Sequence, residues 1–136
     1  MPCEKKTMKD KIEAVQAFHT AFEIGYATSP KASLYSDKNK LRFRLMEEEN
    51  KEYLEAAQNN DLVEVADALG DMLYILCGTI IEHGLQDKID AVFNEIQRSN
   101  MSKLGADGKP IYREDGKVLK GPHYFKPNLV AVLENK

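Results

Sequence analysis

Apolar residues recur at helical spacing along most of the first hundred positions. Met8, Ile12, Val15, Phe18 and Phe22 repeat every three or four residues, the period of one helix face. Thr7 stands three residues before Asp10 in the form of a capping box. A first helix is therefore expected from about Met8 to Ile24, stopped by Gly25. The stretch from Tyr26 to Tyr35, with Ser29-Pro30, breaks the pattern and reads as a loop. A second helix is expected from after Ser36 to about Gln58, ending at Asn59-Asn60. Asp61 and Glu64 form a second capping signature and open a third helix that runs to about His83, before Gly84. A fourth follows Asp87 and reaches about Lys103, closed by Gly105. Asp107-Gly108 and Asp115-Gly116 are turn signals. Ile111-Tyr112 faces Val118-Leu119 across the second of them, which predicts a small hairpin. The end of the chain from Gly121 to Lys136, with Pro122 and Pro127, reads as an extended tail.

Helices of this length with short connections predict an all-α fold: an antiparallel four-helix bundle with a small C-terminal β-hairpin and an extended tail. It is expected as a single domain over 1–136, its helical core at about 8–104 and its hairpin and tail at 105–136. The third helix is placed at the centre, with Leu62, Ala66, Leu69, Leu73, Leu76 and Ile80 as its packed stripe. Its second half, Met72 to Ile81, is apolar all the way round, the pattern of a helix buried on every side. One chain of this size hardly buries such a helix alone, so a homo-oligomer, dimer or tetramer, is expected. On the fourth helix Ile89, Phe93 and Ile96 mark the core stripe.

The composition, 43% hydrophobic and 30% charged with 8 Gly and 5 Pro, excludes a disordered or fibrous chain. No apolar run approaches the roughly 20 residues of a membrane span. The polar, lysine-rich stretch from Met1 to Asp10 has no apolar segment behind it. Cys3 and Cys77 make no CxxC and no zinc spacing. A cytoplasmic protein without membrane partners is the expectation, and a net charge of -3 gives no global attraction to nucleic acid.

How that charge is distributed says more. Between Glu47 and Asp71 nine acids stand against a single base, Lys51, so the rest of the chain is net basic. At about 100° per residue, Glu48, Glu49 and Glu52 fall within the inward stripe marked by Leu41, Leu45 and Ala56. On the third helix Glu64, Asp67 and Asp71 lie opposite its packed stripe, on a face that continues as Ile75 and Gly78. Two readings of this pattern stand. Either an acidic helix end faces water, or the carboxylates converge on cations. Convergence without a partner is costly, because clustered like charges hinder one another's ionisation, and a bound divalent ion removes that cost. Oxygen-only ligands suit Mg²⁺ or Mn²⁺. A carboxylate-bridged di-iron bundle needs Glu-x-x-His pairs. The residues three before His19, His83 and His123 are Gln16, Ile80 and Lys120, which excludes it.

Glu48-Glu49-x-x-Glu52, followed after a short gap by Glu64-x-x-Asp67, resembles the EExxE…ExxD signature of the all-α NTP pyrophosphatases. That superfamily includes the MazG-like proteins, the phosphoribosyl-ATP pyrophosphohydrolases and the dimeric dUTPases. The likeness takes in Arg44-Leu45, the run from Val65 to Tyr74, and Arg98 to Lys103 with the Asp-Gly hairpin after it, roughly residues 8 to 127. The resemblance implies Glu49, Glu52, Glu64 and Asp67 as Mg²⁺ ligands. It implies Glu48 as the catalytic group that orients or deprotonates water, or as a further ligand. Some relatives end the second motif where Asp71 stands here. The residue three before it is Ala68, so Asp71 is held as a supporting group behind the ligands.

Asn100 and Lys103 extend the stripe of the fourth helix. They are either a helix end reaching solvent or, as the resemblance implies, contacts to the sugar and phosphates of a nucleotide. The activity implied is Mg²⁺-dependent hydrolysis of a nucleoside triphosphate, ribo or deoxyribo, to the monophosphate and pyrophosphate. Two alternatives are kept: a phosphoribosyl-ATP pyrophosphohydrolase of histidine biosynthesis, and a catalytically idle helical protein that binds nucleotide.

Overall fold

The computed structural model describes residues 7–35 and 37–134. Cys3, Ser36 ahead of the second helix and the last two residues of the tail lie outside them. Among the described residues the chain is all-helical: α1 (Met8–Ala21), α2 (Lys38–Gln58), α3 (Leu62–Glu82), α4 (Ile89–Met101) and α5 (Leu129–Glu134). No helix is long and apolar enough to cross a membrane. The chain divides into two compact units, Met1–Gln86 and Asp87–Lys136.

In the first unit α3 packs against both α2 and α1. The expected capping box forms at α1. Asp10 N–H donates to Thr7 Oγ1 at 3.3 Å, and Thr7 N–H donates to Asp10 Oδ2 at 3.0 Å. The helix ends earlier than its apolar pattern, because Glu23 takes a left-handed φ of 58° ahead of Gly25 at 79°. Asp61 caps α3 by accepting from Glu64 N–H at 3.2 Å. Gly84, at φ 70°, ends it, and the preceding loop lies along that end through Ala27 N–H to Ile81 O (3.0 Å) and Lys31 N–H to His83 O (2.9 Å). The core is Ile12, Val15, Leu34, Ala56, Ala68, Cys77, Ile80 and Ile81.

The packed stripe expected on α3 needs correction. Leu62 is 80% exposed, Leu69 49%, Leu73 38% and Leu76 44%. Of that stripe only Ile80 is buried. The face that packs within the chain carries Ala68, Cys77, Gly78, Ile81 and Glu82 instead. The helix is apolar nearly all round, so hydropathy alone does not say which side meets α1 and α2. Small residues decide it, since Ala68 and Gly78 let neighbouring side chains approach where leucine would stand off.

In the second unit α4 packs against α5, and here too the expected stripe is corrected. Phe93 and Ile96 are exposed, while Ser99 is the buried residue of α4. The polar side of α4 receives the tail. Ser99 Oγ donates to Phe125 O at 2.8 Å, Ser102 Oγ accepts from Phe125 N–H at 3.2 Å, and Glu95 Oε2 accepts from Asn128 N–H at 2.6 Å. Arg98 lies 4.2 Å over the Phe125 ring. The tail is not wholly extended. Asn128 Oδ1 accepts from Ala131 N–H at 3.2 Å, a side-chain cap that starts α5. The expected hairpin shrinks to one antiparallel bridge, Tyr112 to Val118, and no strand forms among the described residues. Arg113 N–H donates to Lys117 O and Leu119 N–H to Ile111 O, both at 2.8 Å, and Asp115 accepts from Arg113 Nε and Lys117 N–H within the turn.

Candidate functional site

The acidic residues share the seam between two antiparallel helices. Antiparallel packing follows from the contacts, since Lys38 and Arg42 near the start of α2 meet Glu82 and Thr79 near the end of α3. Two to four turns along the seam, Glu49 of α2 is half-buried, and its Oε2 is enclosed with no hydrogen-bond partner. Burial pushes the Glu49 carboxyl up to about 7. A hydrogen bond shared with Glu52 and the negative charges of Glu52, Asp71 and Asp67 push it the same way. Four of the carboxylates singled out in the sequence are therefore brought together: Glu49, Glu52, Asp67 and Asp71.

Asp71 acts on Glu49 more strongly than Asp67 does, although the motif reading set it behind the ligands. The signal was present in the sequence as its spacing of four from Asp67, which puts both on one helix face. Glu64 takes a different place. It lines a cleft of about 320 Å³ at the α2–α3 turn with Glu52, Glu55, Asn59 and Asp61. Glu52 borders both groups and links them. Glu48 is exposed on α2, one residue from the cluster. Asn100, exposed, and Lys103, half-buried, belong to the second unit at the end of α4.

The donor set is all oxygen and all anionic, and one enclosed carboxylate oxygen has no donor. That chemistry fits a hard divalent cation. As they stand, no group of three or more His, Cys, Asp or Glu side chains among the described residues is placed to hold a metal ion.

Sequence reasoning passed over a second charged group farther along the same seam. Glu82 is buried and paired with Lys38 Nζ at 2.9 Å and Arg42 Nε at 3.2 Å. Burial lowers the Arg42 guanidinium below its ordinary value, and the Glu82 charge works against that. The available signal was an acid standing directly after a ten-residue apolar run.

A search of curated proteins gives no match. A family model described as phosphoribosyl-ATP pyrophosphohydrolase matches residues 15–100, a span that contains α2, α3 and every clustered carboxylate. By that match over more than half its length, the chain belongs to the phosphoribosyl-ATP pyrophosphohydrolase family, within the MazG-like all-α NTP pyrophosphatase superfamily.

Proposed function

We propose that this protein is a Mg²⁺-dependent nucleotide pyrophosphohydrolase that converts a nucleoside triphosphate to its monophosphate and pyrophosphate. The observation that carries the reading is the Glu49 carboxyl, pushed up to about 7 beside Glu52, Asp71 and Asp67 with an oxygen that lacks a donor. A group in that state is uncomfortable in an apo protein and is relieved by a cation.

Glu49, Glu52, Asp67 and Asp71 would hold the ion, and Glu64, on the cleft it lines with Glu52, would extend the acidic set. When bound, Mg²⁺ or Mn²⁺ supplies Lewis acidity to the phosphate oxygens and charge stabilisation to the leaving pyrophosphate. Glu48, exposed and next in sequence to Glu49 on α2, would accept a proton from the attacking water. The water oxygen bonds to the α-phosphorus, the bond from that phosphorus to the α–β bridging oxygen breaks, and the bridging oxygen leaves with pyrophosphate. Asn100 and Lys103 would orient sugar and phosphates. Two or more copies of the chain, covering the exposed leucines of α3, would form the working assembly.

A second reading has an observation of its own. The family whose model matches is named for phosphoribosyl-ATP, and hydrolysis of that substrate breaks the same kind of anhydride with the same groups. A pyrophosphate-release screen over NTPs, dNTPs and phosphoribosyl-ATP, with Mg²⁺ and with Mn²⁺, separates the two. Turnover of a nucleoside triphosphate supports the first, turnover of phosphoribosyl-ATP alone supports the second, and no release from any of them leaves a binding protein.

A further inference from the structure

α2 brings little buried apolar side chain to its seam with α3: Ala56 is its buried residue, while α3 buries Ala68, Cys77, Gly78, Ile80 and Ile81. Apolar attraction is non-directional, so an alanine on α2 does little to choose among neighbouring registers of the two helices. On the same seam a guanidinium is held almost wholly out of water. The Arg42 side chain is 10% exposed and that of Glu82 is 3%. Arg42 donates from Nε to Thr79 Oγ1 at 3.0 Å and from Nη2 to the Ile75 carbonyl at 2.7 Å. Nε carries one hydrogen, and Thr79 takes it. Glu82 Oε2 is therefore ion-paired with Arg42 yet accepts no hydrogen bond.

Buried ion pairs of this kind are weak devices for stability, and fixing a register is their best-attested use. Gly78 fits that use. Glycine is disfavoured inside a helix, but a Cβ here would stand 2.6 Å from Arg42 Nη2 and 3.0 Å from His19 Nε2. Nη2 cannot simply swing aside, because moving it breaks its bond to Ile75.

We propose that Arg42, seated on Gly78 and paired with Glu82, is a positioning residue that fixes the register of α2 against α3 and so sets Glu49 and Glu52 opposite Asp67 and Asp71. The proposal rests on the reading of that cluster as a cation site. Arg42 lies seven residues from Glu49, about 10 Å along α2. A slip of one residue would shift Glu49 by about 1.5 Å and turn it by about 100°. Metal–ligand distances tolerate about 0.2 Å.

The test uses the full chain with Arg42→Met, Arg42→Lys, Gly78→Ala and the double variant Gly78→Ala/Arg42→Met. Two quantities are read: Mn²⁺ affinity by electron paramagnetic resonance, and the α2–α3 distance between spin labels at Leu54 and Gly70 in a Cys3→Ser background. Arg42→Met should weaken Mn²⁺ binding by about 10–100-fold, the usual effect of removing a group that orients ligands, and should shift or broaden the label distance. Arg42→Lys should not rescue either, because an ammonium lacks the planar fork that reaches two acceptors. Gly78→Ala should act alike, and the double variant should be no weaker than Arg42→Met, since the added methyl works by evicting the guanidinium. Variants that melt earlier yet keep wild-type Mn²⁺ affinity and label distance would overturn the proposal and leave Arg42 a stabilising residue only. Should Arg42→Met fail to fold, Arg42→Lys and Gly78→Ala carry the same test. Absence of Mn²⁺ binding in the wild type would overturn the metal reading instead, and an unchanged label distance in the Arg42 and Gly78 variants would then overturn the register proposal by itself.

Discussion

A carboxyl held near neutrality in the folded state works against folding once it ionises. Glu49 is raised from an ordinary 4.5 to about 7, so its contribution to stability is fully present below about pH 4.5 and is lost as pH rises through 7. Glu49→Gln, which keeps the shape and removes the charge, should therefore melt higher than wild type at about pH 8 in chelator. The difference should close at about pH 4.5, and paired thermal melts read it. With metal the order reverses, because the same charge then attracts the ion. Glu48 is set apart because it is not among the acids that act on Glu49. As the group that takes the water proton, its Glu48→Gln variant should keep metal affinity while kcat falls by about 10²–10⁴-fold, the usual worth of general-base assistance. Glu49→Gln and Asp67→Asn should lose metal affinity and recover activity partly at high Mg²⁺ or Mn²⁺. Steady-state rates beside calorimetric metal titrations separate the two behaviours, and metal rescue of Glu48→Gln as full as that of the others would make Glu48 an ordinary ligand.

At the scale of elements, helix existence was written plainly in the chain and helix facing was not. Thr7 and Asp10 announced the start of α1, and Asp61 announced α3, because caps are local chemistry between residues three apart. Which side of α3 turns inward depends on what α1 and α2 bring to it, and a helix apolar on nearly every side gives no local answer. The leucine stripe looked like the core, yet the alanine and glycine positions pack within the chain. The carboxylate face of α3 was legible all the same, since acids interrupt an apolar helix visibly. The seating of Phe125 on Ser99 and Ser102 depends on partners 26 and 23 residues apart, beyond the reach of periodicity, whereas the capping of α5 by Asn128 is local and was masked by the prolines ahead of it. Ile81, fully buried on the face that does pack, gives a check on that assignment. Ile81→Ala should cost about 2–5 kcal/mol in denaturant melts, whereas Tyr35→Ala, at a side chain that is 86% exposed and off the leucine face, should cost far less.

On the scale of the whole molecule, the exposed leucines of α3 are too many to be scattered surface residues. Leu62, Val63, Leu69, Leu73 and Leu76 are all exposed, and contiguous apolar faces of this kind mark association sites. Light scattering at micromolar concentration should give at least twice the mass of one chain. The paired substitution Leu69→Glu/Leu73→Glu should reduce the particle toward a monomer, and a monomeric wild type would contradict the assignment of that face.

Metal-dependent attack of water on the α-phosphorus of a nucleotide, by a chain whose carboxylates gather around Glu49, leaves an isotopic signature in the products. Phosphorus NMR of the reaction run in ¹⁸O-labelled water tests it most directly. Incubated with Mg²⁺ and the best substrate of the screen, the protein should yield pyrophosphate and the nucleoside monophosphate in equal amounts, with the label on the monophosphate and nothing formed in chelator. Release of orthophosphate, label in the pyrophosphate, or undiminished turnover without divalent metal would contradict it.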